Sequence, residues 1–186
     1  MRVTLALAAL LAALPAQAQM TVTLGSGAAH DCYLAAKTGL RPRGALTSCT
    51  VALDHVLSAA DRAATLVNRG VIQDALKAYA AAWADYNAAL RINPDLGDAY
   101  LNRGAALMRM QKSDEAIVDI KKGMALGVSL PQIGYYDLAV AEENLGLLKE
   151  AYFDYKRAVA ADPAYQPALE ALKFFKVEVK PADRKD

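Results

Sequence analysis

Histidine and cysteine each occur only twice in the 186 residues, aromatic side chains make up 7% of the chain, and the formal net charge is +1. Each shortage excludes something. The two histidines, His30 and His55, lie close together near the start. Acid–base chemistry elsewhere would therefore have to rest on carboxylates. Gly-x-Ser-x-Gly, His-Glu-x-x-His and Gly-x-x-x-x-Gly-Lys do not occur, so hydrolase, zinc-protease and phosphate-loop patterns are missing. The sequence predicts no enzyme, no catalytic residue, no metal site and no cofactor. With 21 basic and 20 acidic residues, the chain has no field to draw nucleic acid or anionic lipid. After the first segment no apolar run approaches the roughly 20 residues that a membrane-spanning helix needs.

The apolar fraction is nevertheless 55%. Much of it is alanine, which favours helices that pack closely over bulky sheet cores. An all-α chain is expected. Its pattern repeats: Asn68-Arg69-Gly70 recurs as Asn102-Arg103-Gly104, and Ala82, Tyr86 and Ala89 stand where Ala116, Ile120 and Gly123 stand, 34 residues on. Ala151, Tyr155, Ala158 and Pro163 repeat Ala82, Tyr86, Ala89 and Pro94 after 69 residues, two periods and one inserted residue. A period of this length predicts stacked helical hairpins, none of which can bury its apolar face alone.

The pattern resembles the tetratricopeptide repeat family. Small residues fill repeat position 8 (Gly70, Gly104, Ala139) and position 20 (Ala82, Ala116, Ala151). Position 24 holds Tyr86, Ile120 and Tyr155, and position 32 holds Pro94 and Pro163 but Val128 in the middle unit, with Pro131 three residues late. The units are placed at 63–96, 97–130 and 132–165, with an irregularity expected where the second meets the third. The resemblance implies a right-handed superhelix, an α-solenoid of helix-turn-helix repeats. Residues 166–178 are expected to form a capping helix, with a frayed tail over 179–186.

Before the repeats, Val3 to Leu14 is an apolar run that ends at Pro15-Ala16-Gln17-Ala18. A positive start, a short apolar stretch and small residues before the cut are the marks of a secretory signal. Cleavage is expected after Ala18, with export to the periplasm of a Gram-negative bacterium. Residues 19–27 are expected to be a flexible leader, and residues 28–62 a degenerate helical hairpin. Aligned to the repeat, that hairpin puts Cys32 and Cys49 on facing helices, which predicts a disulfide in an oxidising compartment. The rival reading, redox or metal handling by the same two cysteines, lacks a Cys-x-x-Cys motif and any zinc-ligand spacing.

What the resemblance implies about function is binding of another protein or peptide segment in the concave groove lined by the first helix of each unit. By register the expected partner-binding residues are Asn68, Leu101, Asn102, Met108, Arg109, Tyr136, Asp137 and Asn144. The asparagines would hold the partner's backbone, and Leu101, Met108 and Tyr136 would supply apolar contact. Family members that capture a terminal carboxylate carry lysines and an arginine near the places of Val67, Leu101, Ile133 and Asp137, so that mode is not expected. An alternative is an architectural role in an envelope assembly, using the convex surface. Arg69 and Arg103 are assigned to the fold, each facing an aspartate of its own hairpin, Asp85 or Asp119; Asp154 in the third unit faces Leu138. Trp83 is expected in the core.

Overall fold

In the computed structural model, which describes residues 16–39 and 44–175, every regular element is an α-helix. The N-terminal pair is α1 (Ala16–Thr38) and α2 (Ala45–Asp54). The three repeat hairpins are α3 (Ala59–Ala75) with α4 (Tyr79–Ile92), α5 (Gly97–Arg109) with α6 (Ser113–Leu126), and α7 (Pro131–Asn144) with α8 (Leu148–Ala161). A short α9 (Gln166–Leu172) follows. Each helix packs on the next, and α3, α5 and α7 also touch along one side, so the stack is a helical-repeat superhelix. Among the described residues no helix is long and apolar enough to cross a membrane.

Close helix crossings explain the small residues. A Cβ on Gly70 would lie 2.6 Å from Tyr86 Cε1, and one on Gly104 would lie 2.7 Å from Ile120 Cγ1. The position-24 side chain therefore stacks on the position-8 backbone, and Tyr86, Ile120 and Tyr155 are almost wholly buried. Ala82, Ala116 and Ala151 are fully buried beside them. Burying such side chains contributes about 1.5–3 kcal/mol each.

Helix ends follow local chemistry. Ser58 Oγ accepts from the Asp61 amide and caps α3. All three hairpin turns return an amide five residues back, from Ala78 to Gln73, Lys112 to Leu107 and Leu147 to Glu142. Each needs one residue with positive φ: Lys77 at 64°, Gln111 at 62° and Gly146 at 75°. Between units, Asn93 Oδ1 accepts from the Asp95 amide and Asp162 Oδ1 from the Ala164 amide, turning the chain at Asn-Pro and Asp-Pro. The middle unit, lacking that motif, closes α6 at Gly127 (φ 90°). The inserted residue goes into α7, which has 14 residues where α5 has 13, with Pro131 as its first.

Cys32 and Cys49 are joined by a disulfide with Cα atoms 4.8 Å apart, and both are fully buried among Ala35, Ala45 and Ile72. The bridge ties α1 to α2 and seats the pair on α3.

Three expectations are revised. The helix α1 runs through 19–27, expected to be a flexible leader; a helix anchored at Cys32 lengthens at less cost than one that must nucleate. The capping helix stops at Leu172, short of 178, because the bonds from the Lys173, Phe174 and Phe175 amides tighten to i→i−3. Trp83 is 37% exposed on the outer face of α4. The buried face runs through Ala82, Tyr86 and Ala89, which leaves position 83 turned past it. Residues 1–15 of the signal segment, 176–178 of the expected cap and 179–186 of the tail lie outside the described residues.

Candidate functional site: the concave groove

The inner helices α3, α5 and α7 set one row of side chains each on the concave side. Their charged groups meet where Asp74 near the end of α3, Arg109 at the end of α5 and Asp137 in the middle of α7 converge. Arg109 Nη1 lies 2.9 Å from Asp74 Oδ2 and its guanidinium sits 5.9 Å from the Tyr79 ring centre. Asp74 Oδ1 is buried and has no hydrogen-bond partner. Asp137 is half-buried, and no donor among the described residues reaches its carboxylate. Burial raises its pKa to about 6; the Arg109 charge lowers it and the Asp74 charge raises it. Asp74 is likewise raised, by burial first, against the pull of Arg109.

Beside Asp137 stands an aromatic wall. Tyr136 packs its ring 5.6 Å from that of Tyr155 and 5.7 Å from that of Tyr165. Tyr155 donates to Glu143 Oε2 at 2.8 Å. Met108 lies partly buried against the core of the second unit and shares an open cleft of about 740 Å³ with Arg109, Asn144, Lys112 and Leu145.

At the other end of the groove Asn68 lines a cleft of about 430 Å³ with Tyr33, Val67 and Asp98. Asp98 accepts from the Ser129 amide at 2.9 Å and from its hydroxyl at 2.6 Å, which fastens the irregular join to α5. The Asn68 and Asn102 amides are half-exposed and have no hydrogen-bond partner among the described residues. Each therefore keeps a donor and an acceptor for an incoming backbone.

Of the expected residues, the groove brings together Arg109, Tyr136 and Asp137 at one end, with Met108 and Asn144 in the adjoining cleft, and leaves Asn68 and Asn102 free. Leu101 does not belong to it. It is 6% exposed, packed with Leu107, Ile120 and Leu138. The reason is Gly134, where a Cβ would lie 3.3 Å from Leu101 Cδ1: the bare backbone of α7 lets Leu101 slide under it. Sequence register missed Tyr165, from the linker before α9, and Tyr33, from α1. Neither lies on an inner repeat helix.

The arginines assigned to the fold are where register put them. Arg69 makes two 2.7 Å bonds to Asp85, and Arg103 bonds Asp119 at 2.6 and 2.7 Å. Each also reaches the preceding hairpin, Arg69 to Thr50 Oγ1 and Arg103 to Asn87 Oδ1. A planar fork with five donors suits a clasp of three helices.

Known proteins share this architecture. The TPR repeat family model matches residues 69–111 and the tetratricopeptide repeat model matches residues 134–165. The DnaJ homolog subfamily C member 7 homolog of Schizosaccharomyces pombe is 30% identical over 112 residues, which is 58% of this chain and 23% of that protein. The Protein STIP1 homolog of Dictyostelium discoideum is 28% identical over 114 residues, 61% of this chain and 20% of its own. The chain thus spans less than a quarter of the length of either relative. Among solved structures, the first TPR of Spaghetti (RPAP3) bound to the HSP90 peptide SRMEEVD superposes with a TM-score of 0.57 at 25% identity, over 60% of this chain and 88% of that one. A MamA double mutant reaches 0.68 at 19% identity, over 81% and 82%, a likeness of fold. Repeat spacing, buried small residues, inner-helix groove and these matches agree: the chain is a tetratricopeptide-repeat protein.

Proposed function

We propose that this protein is an exported protein-interaction module that takes up an extended segment of a partner protein in its concave groove, in the periplasm of a Gram-negative bacterium. The observation that carries the reading is the pair of unpartnered amides, Asn68 and Asn102, at equivalent places on α3 and α5. They stand one repeat apart on neighbouring inner helices and would meet successive stretches of one backbone, with Met108 and Tyr136 as apolar contacts further along. The peptide-bound state of the similar Spaghetti (RPAP3) domain supports it. Export is supported by the apolar run of residues 3–14 and by the buried bridge between Cys32 and Cys49, which suits an oxidising compartment. With both sulfurs fully buried, the bridge suits a structural role better than thiol exchange.

The test is affinity purification from periplasmic extract with the native protein and with Asn68→Ala/Asn102→Ala, whose helicity is first checked by circular dichroism. A partner retained by the first and lost by the second is the expected result. The same partner on both overturns groove binding. That outcome would favour the architectural reading, for which Val118 and Phe153, 67% and 48% exposed on the outer helices α6 and α8, are the observation.

A further inference from the structure

The chain as a whole is nearly neutral, but its groove is not. The groove rows of α3, α5 and α7 carry four carboxylates, Asp74, Asp98, Asp137 and Glu143, and one cation, Arg109. Asp98 and Glu143 already accept from Ser129 and Tyr155, neutral donors that leave their charge in place. Arg109 is committed to Asp74 through Oδ2. Two acceptors at this point lack donors: the buried Oδ1 of Asp74, and the carboxylate of Asp137. Tyr79 lies under the Arg109 guanidinium, and Tyr165, near enough to Asp137 to feel its charge, packs edge-on against Tyr136.

We infer that the partner segment carries an arginine or lysine side chain, whose cationic head enters the groove between Asp74 and Asp137 and whose alkyl stem lies along the tyrosines. This rests on the groove reading above and adds the chemistry of the occupant. A guanidinium has five donors and an ammonium three, enough to satisfy both carboxylates without displacing Arg109. Charge-assisted bonds of this kind are the strong ones, and aromatic faces add attraction for a cation. An acidic segment would bring like charge to a groove that is already net negative.

The groups facing Asp137 are Arg109 and Asp74 across the groove, with Tyr136 and Tyr165 beside it. Asp137 titrates at about 6 in the empty groove. A bound cation favours its ionised form, so binding releases a proton on the acid side of neutrality and affinity rises with pH.

A displayed library of random seven-residue peptides, selected on the immobilised full protein at pH 7.5, tests the inference. Enriched peptides should carry arginine or lysine and avoid aspartate and glutamate. The best of them, synthesised, should bind about tenfold more tightly at pH 7.5 than at pH 5, because only the ionised Asp137 pairs with its cation and roughly a tenth is ionised at pH 5. Asp137→Asn should lose that pH dependence while keeping its helicity, and Asn68→Ala/Asn102→Ala should weaken the same peptide. Enrichment of acidic or uncharged peptides that still need the asparagines would overturn the cation while leaving groove binding intact. Basic peptides that bind both variants as well as the native protein, or no enrichment at all, would overturn both.

Discussion

In units one and two the aspartate buried on the second helix is held by an arginine from the first, Arg69 to Asp85 and Arg103 to Asp119. In unit three the corresponding Asp154 faces Leu138, and a second buried carboxyl, Glu142, lies against it. Asp154 accepts from Arg157, the turn above it on its own helix, and Lys121 of α6 stands 4.0 Å from Glu142. The buried Oε2 of Glu142 has no donor. Burial first, then the Asp154 charge and hydrogen bond, raise the pKa of Glu142 to about 7, with Glu150 adding to and Lys121 opposing the shift. No guanidinium reaches across from the first helix here, so burial beside Asp154 instead favours the protonated form of Glu142, and Leu138 packs against the second unit's Ile120 cluster where Arg103 would reach a polar partner. The same fold thus tolerates two solutions, because helix packing carries most of the energy and the polar tie only has to be satisfied.

The largest effect should come from breaking a clasp. Arg103→Leu leaves Asp119, with a side chain only 10% exposed, without its partner, and should cost about 3 kcal/mol, read by urea unfolding at pH 7. A loss below about 1 kcal/mol would mean that the clasp adds little beyond helix packing. Reducing the Cys32–Cys49 bridge gives a second break, outside the repeats. It should cost about 3 kcal/mol in the chain-entropy model and raise amide exchange in α1 and α2 while α5 to α8 stay protected.

The raised Glu142 value makes unit three sensitive to pH in a direction that can be worked out. Glu142 has its value raised from 4.5 to about 7 on folding, so its contribution is complete below about pH 4.5 and lost as pH rises through 7. Glu142→Gln keeps a donor toward Asp154 at every pH. It should therefore match the native protein at pH 5 and exceed it by about 2 kcal/mol at pH 8. Equal stability of the two proteins at both pH values would mean that Glu142 takes up no proton on folding. The smallest effect lies in the turns. Gln111 holds a positive φ that unit three gives to Gly146, so Gln111→Gly should stabilise by up to about 1 kcal/mol and Gly146→Ala should destabilise by a similar amount.

Several features are legible in the sequence alone. The 34-residue offset located the hairpins, and register alone paired Arg69 with Asp85 and Arg103 with Asp119, because both positions recur at constant separation. The disulfide was legible because the same register, extended to residues 28–62, puts Cys32 and Cys49 on facing helices. Leu101 and Trp83 were not, although the helical period was read correctly. Leu101 is covered because Gly134 of the next unit offers bare backbone, and Trp83 is bared because nothing packs outside α4 at that point. Neither fact is local to the residue. The unpartnered state of Asp137 was hidden too, since it depends on Arg109 choosing Asp74.

Sequence by itself determined that this chain folds as stacked helical hairpins of one family, where each begins and turns, and which residues bind the two helices of a unit. These are matters of period, cap and small-residue spacing, set within some 34 positions. Only the tertiary structure decided what the units do to one another: the third arm of each arginine, the burial of Leu101, and the meeting of Asp74, Arg109 and Asp137 from three different units. The physical reason is that the angle between successive hairpins selects which side chains face across the groove, and that angle comes from the summed packing of many small contacts.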